Sequence, residues 1–80
     1  ILLLPMAIKP EKLLNSTLNK KVRIVLRNGR EYRGVLRGFD ELMNLTLGDA
    51  RLISPEGEGE QDMGSLMIKG YDTVLIIPET

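Results

Sequence analysis

The stretch from Lys20 to Ala50, KKVRIVLRNGREYRGVLRGFDELMNLTLGDA, leaves few folds open. Val22, Ile24 and Leu26 alternate with Arg23, Val25 and Arg27, which is the two-residue period of a strand with one buried face. Asn28-Gly29 follows, two residues that tolerate positive φ, as a tight type I′ hairpin turn requires. Tyr32, Gly34, Leu36 and Gly38 continue on the return strand. Gly34 and Gly38 share one face of it, where a side chain would crowd the inside of a sharply bent sheet. A third strand restarts at Asn44, after a turn that carries Asp40, Met43 and Asn44. Strands on both sides hold such a turn still, which makes its polar side chains candidates for recognition.

The rest of the chain extends this pattern. Pro10 to Leu18 reads as one short helix, with Pro at the first helical position and Glu11 at the positive end of the dipole. Leu13, Leu14 and Leu18 fall near one face, and Asn19 with the following lysines suits the C-terminus. Two helical turns cannot stand alone, so this helix must cap a sheet. The strands are expected at 21–27, 31–39, 44–50, 66–69 and 73–77, with Gly70-Tyr71-Asp72 as a tight turn and Pro78 ending the last strand. The Gly-rich, acidic run from 54 to 65 reads as a loop. The expected fold class is therefore small all-β: a short N-terminal helix followed by a five-stranded, strongly bent antiparallel barrel of the SH3-like kind. The domain is expected to span 10–78, with an extension at 1–9 and a tail at 79–80. The apolar run Ile1 to Leu4 is too short to cross a bilayer and has no basic region ahead of it, so no membrane association is expected. Residues 1–5 are either an upstream extension or a non-native remnant, and Met6 offers a start of its own.

Eighty residues bury only about 60% of their unfolded surface, and small domains usually need a staple, a metal or a partner. There is no Cys and no His, which leaves no disulfide, no thiolate and no imidazole ligand or base. Partner subunits are the remaining source of burial. Val74 to Ile77 is apolar at four consecutive positions, and Leu66-Met67-Ile68 repeats the problem. Such strands left bare are aggregation-prone edges. Pairing the last two strands with those of neighbours around a rotation axis leaves no free edge.

Without His or Cys, nucleophile–base pairs built on them are impossible, and the only clustered carboxylates lie in the loop that carries Glu56, Glu58, Glu60 and Asp62. That loop has no apolar wall to raise a pKa and no ordered calcium-ligand spacing, so it reads as solvated; neither an enzyme nor a cofactor is expected. From Lys9 to Arg37, nine basic residues face two acidic ones, a net of +7; from Gly38 onward, two basic face nine acidic, a net of −7. That asymmetry fits an anionic partner on the basic half, a solvated strand face, or basic and acidic halves paired between subunits.

Leu26, Asn28-Gly29, Tyr32, Gly34, Leu36, Gly38, Asp40 and Met43-Asn44-Leu45 together resemble the first signature of the Sm/Lsm family. Met67-Ile68-Lys69-Gly70 is similar to its second. The resemblance covers residues 10–78 and looks most like the archaeal Sm-like proteins, which lack long extensions. It implies the Sm fold in a ring, usually of seven copies, joined through the fourth and fifth predicted strands. It also implies single-stranded, uridine-rich RNA bound near the central pore, a scaffold role in RNA processing or turnover, other RNA-processing proteins as further partners, and a cytoplasmic location. By matching position, Asp40 braces the loop and Asn44 hydrogen-bonds a base edge through its amide. Leu42 takes the stacking position, Lys69 takes the position of an Arg, and Gly70 and Tyr71 complete the second turn. Leu42 and Lys69 depart from the family pattern, since neither offers a flat surface to a base. Read without the resemblance, Asp40 and Asn44 fit backbone-bracing roles in a turn better than recognition. The alternative function is a structural or protein-binding ring with weak or no RNA affinity. A monomeric barrel that reads peptides stands third.

Overall fold

The computed structural model describes residues 2–3, 10–57 and 59–79. One helix, α1 (Pro10–Thr17), is followed by β2 (Lys21–Leu26), β3 (Glu31–Phe39), β4 (Leu45–Ile53), β5 (Glu60–Ile68) and β6 (Thr73–Pro78). A two-residue strand, β1 (Leu2–Leu3), precedes them. All strand pairs are antiparallel, in the order β1-β6-β2-β3-β4-β5. The five strands expected from the sequence are thus all present, and the Sm-type fold class holds.

The alternation along β2 and β3 puts Val22, Ile24, Tyr32 and Leu36 on the inner face, where Leu45, Leu47, Ala50, Ile68 and Ile76 meet them. Each fully buried Leu or Ile contributes about 1.5–3 kcal/mol. Leu14 of α1 is fully buried in the same core and Leu18 packs against it, so the helix caps the sheet as its pattern implies. The side chain of Leu13 lies outside the described residues. Asn19 ends the helix in the left-handed region (φ 64°) and donates its N–H to Leu36 O at 2.7 Å, tying the helix end to β3.

Three expectations change. The hairpin between β2 and β3 is not type I′, because Gly29 (φ 89°) has positive φ and Asn28 does not. Gly29 N donates to Leu26 O, Leu26 N donates to Arg30 O, and the Asn28 side chain accepts from Arg30 N. That is a three-residue loop with a left-handed Gly, the next commonest hairpin connection. Gly34 is needed for space, since a Cβ there would sit 3.0 Å from Gly48 O and 3.2 Å from Ala50 Cα. Gly38 is not, since its Cβ would meet nothing within 4 Å; it lies instead where the β3–β4 register shifts between Leu36 and Gly38. Bulges of this kind bend a sheet. Finally, β5 begins at Glu60 rather than Leu66, so half of the expected 54–65 loop is strand, paired Ile53↔Glu60, Leu52↔Gln61 and Arg51↔Asp62.

At the termini, Leu2 and Leu3 pair with Ile76 and Leu75 on the outer edge of β6. Residues 1 and 4–9 of the expected extension, Glu58 of the loop and Thr80 of the tail lie outside the described residues. Glu79 N donates to Lys21 O at 3.0 Å.

Candidate functional site

Two turns far apart in sequence meet at one place. The first joins β3 to β4 at residues 40–44, and the second joins β5 to β6 through the 3-10 turn Gly70–Asp72. In the first, Asp40 acts as the hub. Its Oδ1 accepts from Leu42 N (2.9 Å) and Asn44 N (3.0 Å), and its Oδ2 accepts from Asn44 Nδ2 (2.9 Å). Backbone bonds Asp40 N to Asn44 O and Met43 N to Asp40 O close the loop, with Met43 in the left-handed region (φ 64°). A short carboxylate that bonds to N–H groups two and four residues ahead suits such a turn. The Asn44 side-chain bond, followed by the backbone bonds, holds the Asp40 carboxyl below its ordinary value.

Asn44 links the turns. Its Oδ1 accepts from Gly70 N at 2.9 Å while its Nδ2 donates to Asp40. The two partners fix the amide orientation, because a carboxylate takes only the N–H end and a backbone N–H only the oxygen. One N–H and one lone pair of the amide stay unused by these bonds. Gly70 is buried, and a Cβ there would collide with Leu42 O and lie 2.8 Å from Met43 C and O. The two turns are therefore in backbone contact, and only a residue without a side chain allows it.

Lys69, Tyr71 and Leu42 surround this junction and are exposed. Leu42 and Tyr71 are 77% and 70% exposed, two of the three large apolar side chains so placed among the described residues, the third being Met67. The second turn is braced from behind by Arg27, whose Nε donates to Tyr71 O (2.9 Å) and whose N donates to Asp72 O (2.7 Å). Thus the structure brings Asp40, Leu42, Asn44, Lys69, Gly70 and Tyr71 to one junction. Sequence reasoning missed Arg27, and no local signal marks a partner 44 residues away. A surface groove of about 850 Å³, lined by residues such as Asn28, Arg30, Pro55 and Gln61, includes none of these six.

The basic half is partly neutralised within the chain. Arg33 holds Glu60 (2.9 Å) and Glu79 (2.8 Å), and Arg23 holds Glu31 (2.7 Å). The Arg33 bond holds the Glu79 carboxyl below its ordinary value. These pairs fit the solvated-face reading of the strand arginines; those of Arg33 join the basic and acidic halves inside one copy, and Arg23–Glu31 lies within the basic half.

The LSM domain family model matches residues 12–78. A Thermococcus sibiricus protein named as an snRNP Sm-like protein is 38% identical over 73 residues, spanning 91% of this chain and 95% of that protein. Among solved structures, the P. aerophilum SmAP1 heptamer matches with a TM-score of 0.82 at 29% identity, covering 92% of this chain and 99% of that one. The Pyrococcus abyssii Sm protein in complex with a uridine heptamer matches with a TM-score of 0.76 at 32% identity, covering 89% and 99%.

Proposed function

The chain belongs to the LSM domain family, and from that membership we propose that it assembles into a ring, of seven copies in the family pattern, that binds single-stranded, uridine-rich RNA near the pore. Its role is that of a scaffold in RNA processing or turnover in the cytoplasm, with no catalytic step of its own. In this reading β5 of one copy pairs with β6 of the next. Among the described residues β5 has no strand beyond it, and the outer edge of β6 carries only Leu2 and Leu3.

The observation that carries the reading is the Asp40–Asn44–Gly70 junction. It holds an Asn amide still and leaves it one donor and one acceptor. A uracil edge, with an imide N–H beside a carbonyl oxygen, presents the complementary pair. Asp40 positions Asn44, and Lys69 supplies a cation to phosphate. A neighbour of the same fold is held in complex with a uridine heptamer, which agrees with this assignment.

Native mass spectrometry with and without a seven-nucleotide oligouridine tests assembly and ligand together. Anisotropy titrations then compare oligouridine with oligocytidine and oligoadenosine at rising salt. A multi-copy ring, preference for oligouridine and affinity that falls with salt are expected. Oligouridine that binds no better than the other two sinks the pore-site assignment. The rival reading, a ring that binds protein partners, is favoured by the exposure of Leu42, an apolar side chain suited to protein contact. Rings that form and bind none of the three oligonucleotides decide for it.

A further inference from the structure

Folding explains neither Tyr71 nor Leu42. Both are large apolar side chains, both are more than two-thirds exposed, and the Tyr71 phenol makes no hydrogen bond among the described residues. Yet the backbone beneath each is unusually well held. Leu42 N is bonded to Asp40, and Leu42 O abuts Gly70. Tyr71 O is bonded to Arg27, and the turn that carries it is closed by Asp72 N to Lys69 O at 3.1 Å. Rigid backbone under an exposed ring is what a stacking platform needs, because the ring then loses little freedom when a base covers it.

We propose that Tyr71 is the stacking face of the base-binding slot in this chain, with Leu42 as the apolar wall beside it. The proposal rests on the RNA reading above and goes beyond it by assigning the platform. The argument is one of chemistry and placement. Single-stranded RNA is recognised through unstacked bases laid on aromatic rings. The turn at 40–44 offers only the aliphatic Leu42, and Lys69 offers a point charge rather than a plane. Tyr71 follows Gly70 directly, and Gly70 N donates to the Asn44 amide, so the residue that carries the ring is next in the chain to that amide's backbone partner. Of the aromatic side chains, Tyr32 is buried at 7% exposure and Phe39 is packed against the core, which leaves Tyr71 as the ring open to a base. Stacking is tolerant of base identity, so Tyr71 supplies affinity and Asn44 supplies discrimination.

The test uses the assembled protein, with fluorescein-labelled seven-nucleotide oligouridine and oligocytidine as probes. Tyr71→Ala is expected to weaken both by about tenfold or more and by similar factors, whereas Tyr71→Phe keeps wild-type affinity. The chain has no Trp and two Tyr, one of them buried, so quenching of tyrosine emission by unlabelled oligouridine reports the Tyr71 ring. Quenching in the wild type that persists in Lys69→Gln supports the platform. If the wild type binds oligouridine and Tyr71→Ala binds it equally well, the platform is wrong while the RNA reading stands. If Tyr71→Ala instead shifts the concentration at which the ring assembles, Tyr71 is a subunit contact and the proposal fails. If the wild type binds no oligonucleotide, both fall together.

Discussion

Gly70→Ala is the most informative single change in the fold. A Cβ at this position collides with Leu42 O and stands 2.8 Å from Met43 C and O. All three atoms are backbone, so no side chain can swing away; the turn at 40–44 or the turn at 70–72 must shift. Overpacking of this kind costs about 1–3 kcal/mol. The shift also lengthens or breaks the 2.9 Å bond from Gly70 N to Asn44 Oδ1, worth about 1 kcal/mol. The expected loss is about 2–4 kcal/mol. At about 4–8 °C per kcal/mol for a domain of this size, Tm falls by about 10 °C or more. Gly38→Ala is the matched control, because its Cβ meets nothing within 4 Å. It should be near neutral, or stabilise by about 0.4–1 kcal/mol through the unfolded chain. Thermal melts of both variants at equal protomer concentration make the comparison, since assembly makes Tm concentration-dependent. A Gly70→Ala melt within 2–3 °C, roughly half a kcal/mol, of the Gly38→Ala melt would refute the claim that the two turns are locked backbone to backbone.

Three further outcomes follow. Lys69→Gln should weaken oligouridine binding and reduce the salt slope by about 1, while Arg33→Gln leaves both unchanged, because Arg33 is committed to Glu60 and Glu79; anisotropy across a salt series reads both. The Asp40 carboxyl is held below its ordinary value of 3.8, so its bracing is full above that value and is lost as pH falls through the lower folded-state pKa. Asp40 should therefore add no pH dependence to oligouridine affinity from neutral pH down to about 4, while Asp40→Asn should weaken binding at neutral pH; equal binding by the two proteins removes Asp40 as the brace. Deleting residues 1–5 removes β1 from Leu75 and Ile76, so the ring should assemble at lower concentration, as light scattering on dilution would read. An unchanged assembly midpoint means Leu2 and Leu3 do not compete for that edge.

Much of this architecture was legible because one period and a few turn residues dominate it. The alternation Val22, Ile24, Tyr32, Leu36, Leu45, Leu47 lies in the core without exception. The return strand runs from Glu31 to Phe39 as its pattern requires. The start of β5 was not legible, because Glu60 to Ser65 is polar apart from Met63, bears a Gly and carries no strand period of its own. Its pairing with Arg51, Leu52 and Ile53 makes it a strand, and that is tertiary information. The hairpin turn failed for a related reason: Asn-Gly permits two loop lengths, and the bond from Leu26 N to Arg30 O selects the longer. At the site, the residues of both turns could be named from their motif, but their contact could not. Asn44 and Gly70 are 26 residues apart, and only the folded sheet shows that the Asn amide spends half its bonding capacity joining two loops.

That junction also ties the site to assembly. The turn Gly70–Asp72 is the direct link between β5, an edge strand, and β6, whose outer side carries only Leu2 and Leu3 among the described residues. A neighbour's strand on either edge restrains the same three residues that Asn44 and Arg27 hold from inside. A base seated on the junction restrains them again. Two ligands that order one element bind cooperatively, and the coupling is reciprocal. Oligouridine should therefore lower the protomer concentration at which rings form, and assembly should raise its affinity, with one coupling free energy behind both shifts. Sedimentation across a dilution series with and without oligouridine measures one side of the cycle, and anisotropy above and below the assembly midpoint measures the other. An assembly midpoint that oligouridine leaves in place would mean that ring closure and base binding are independent, and that the 70–72 turn is already fully set within a single copy.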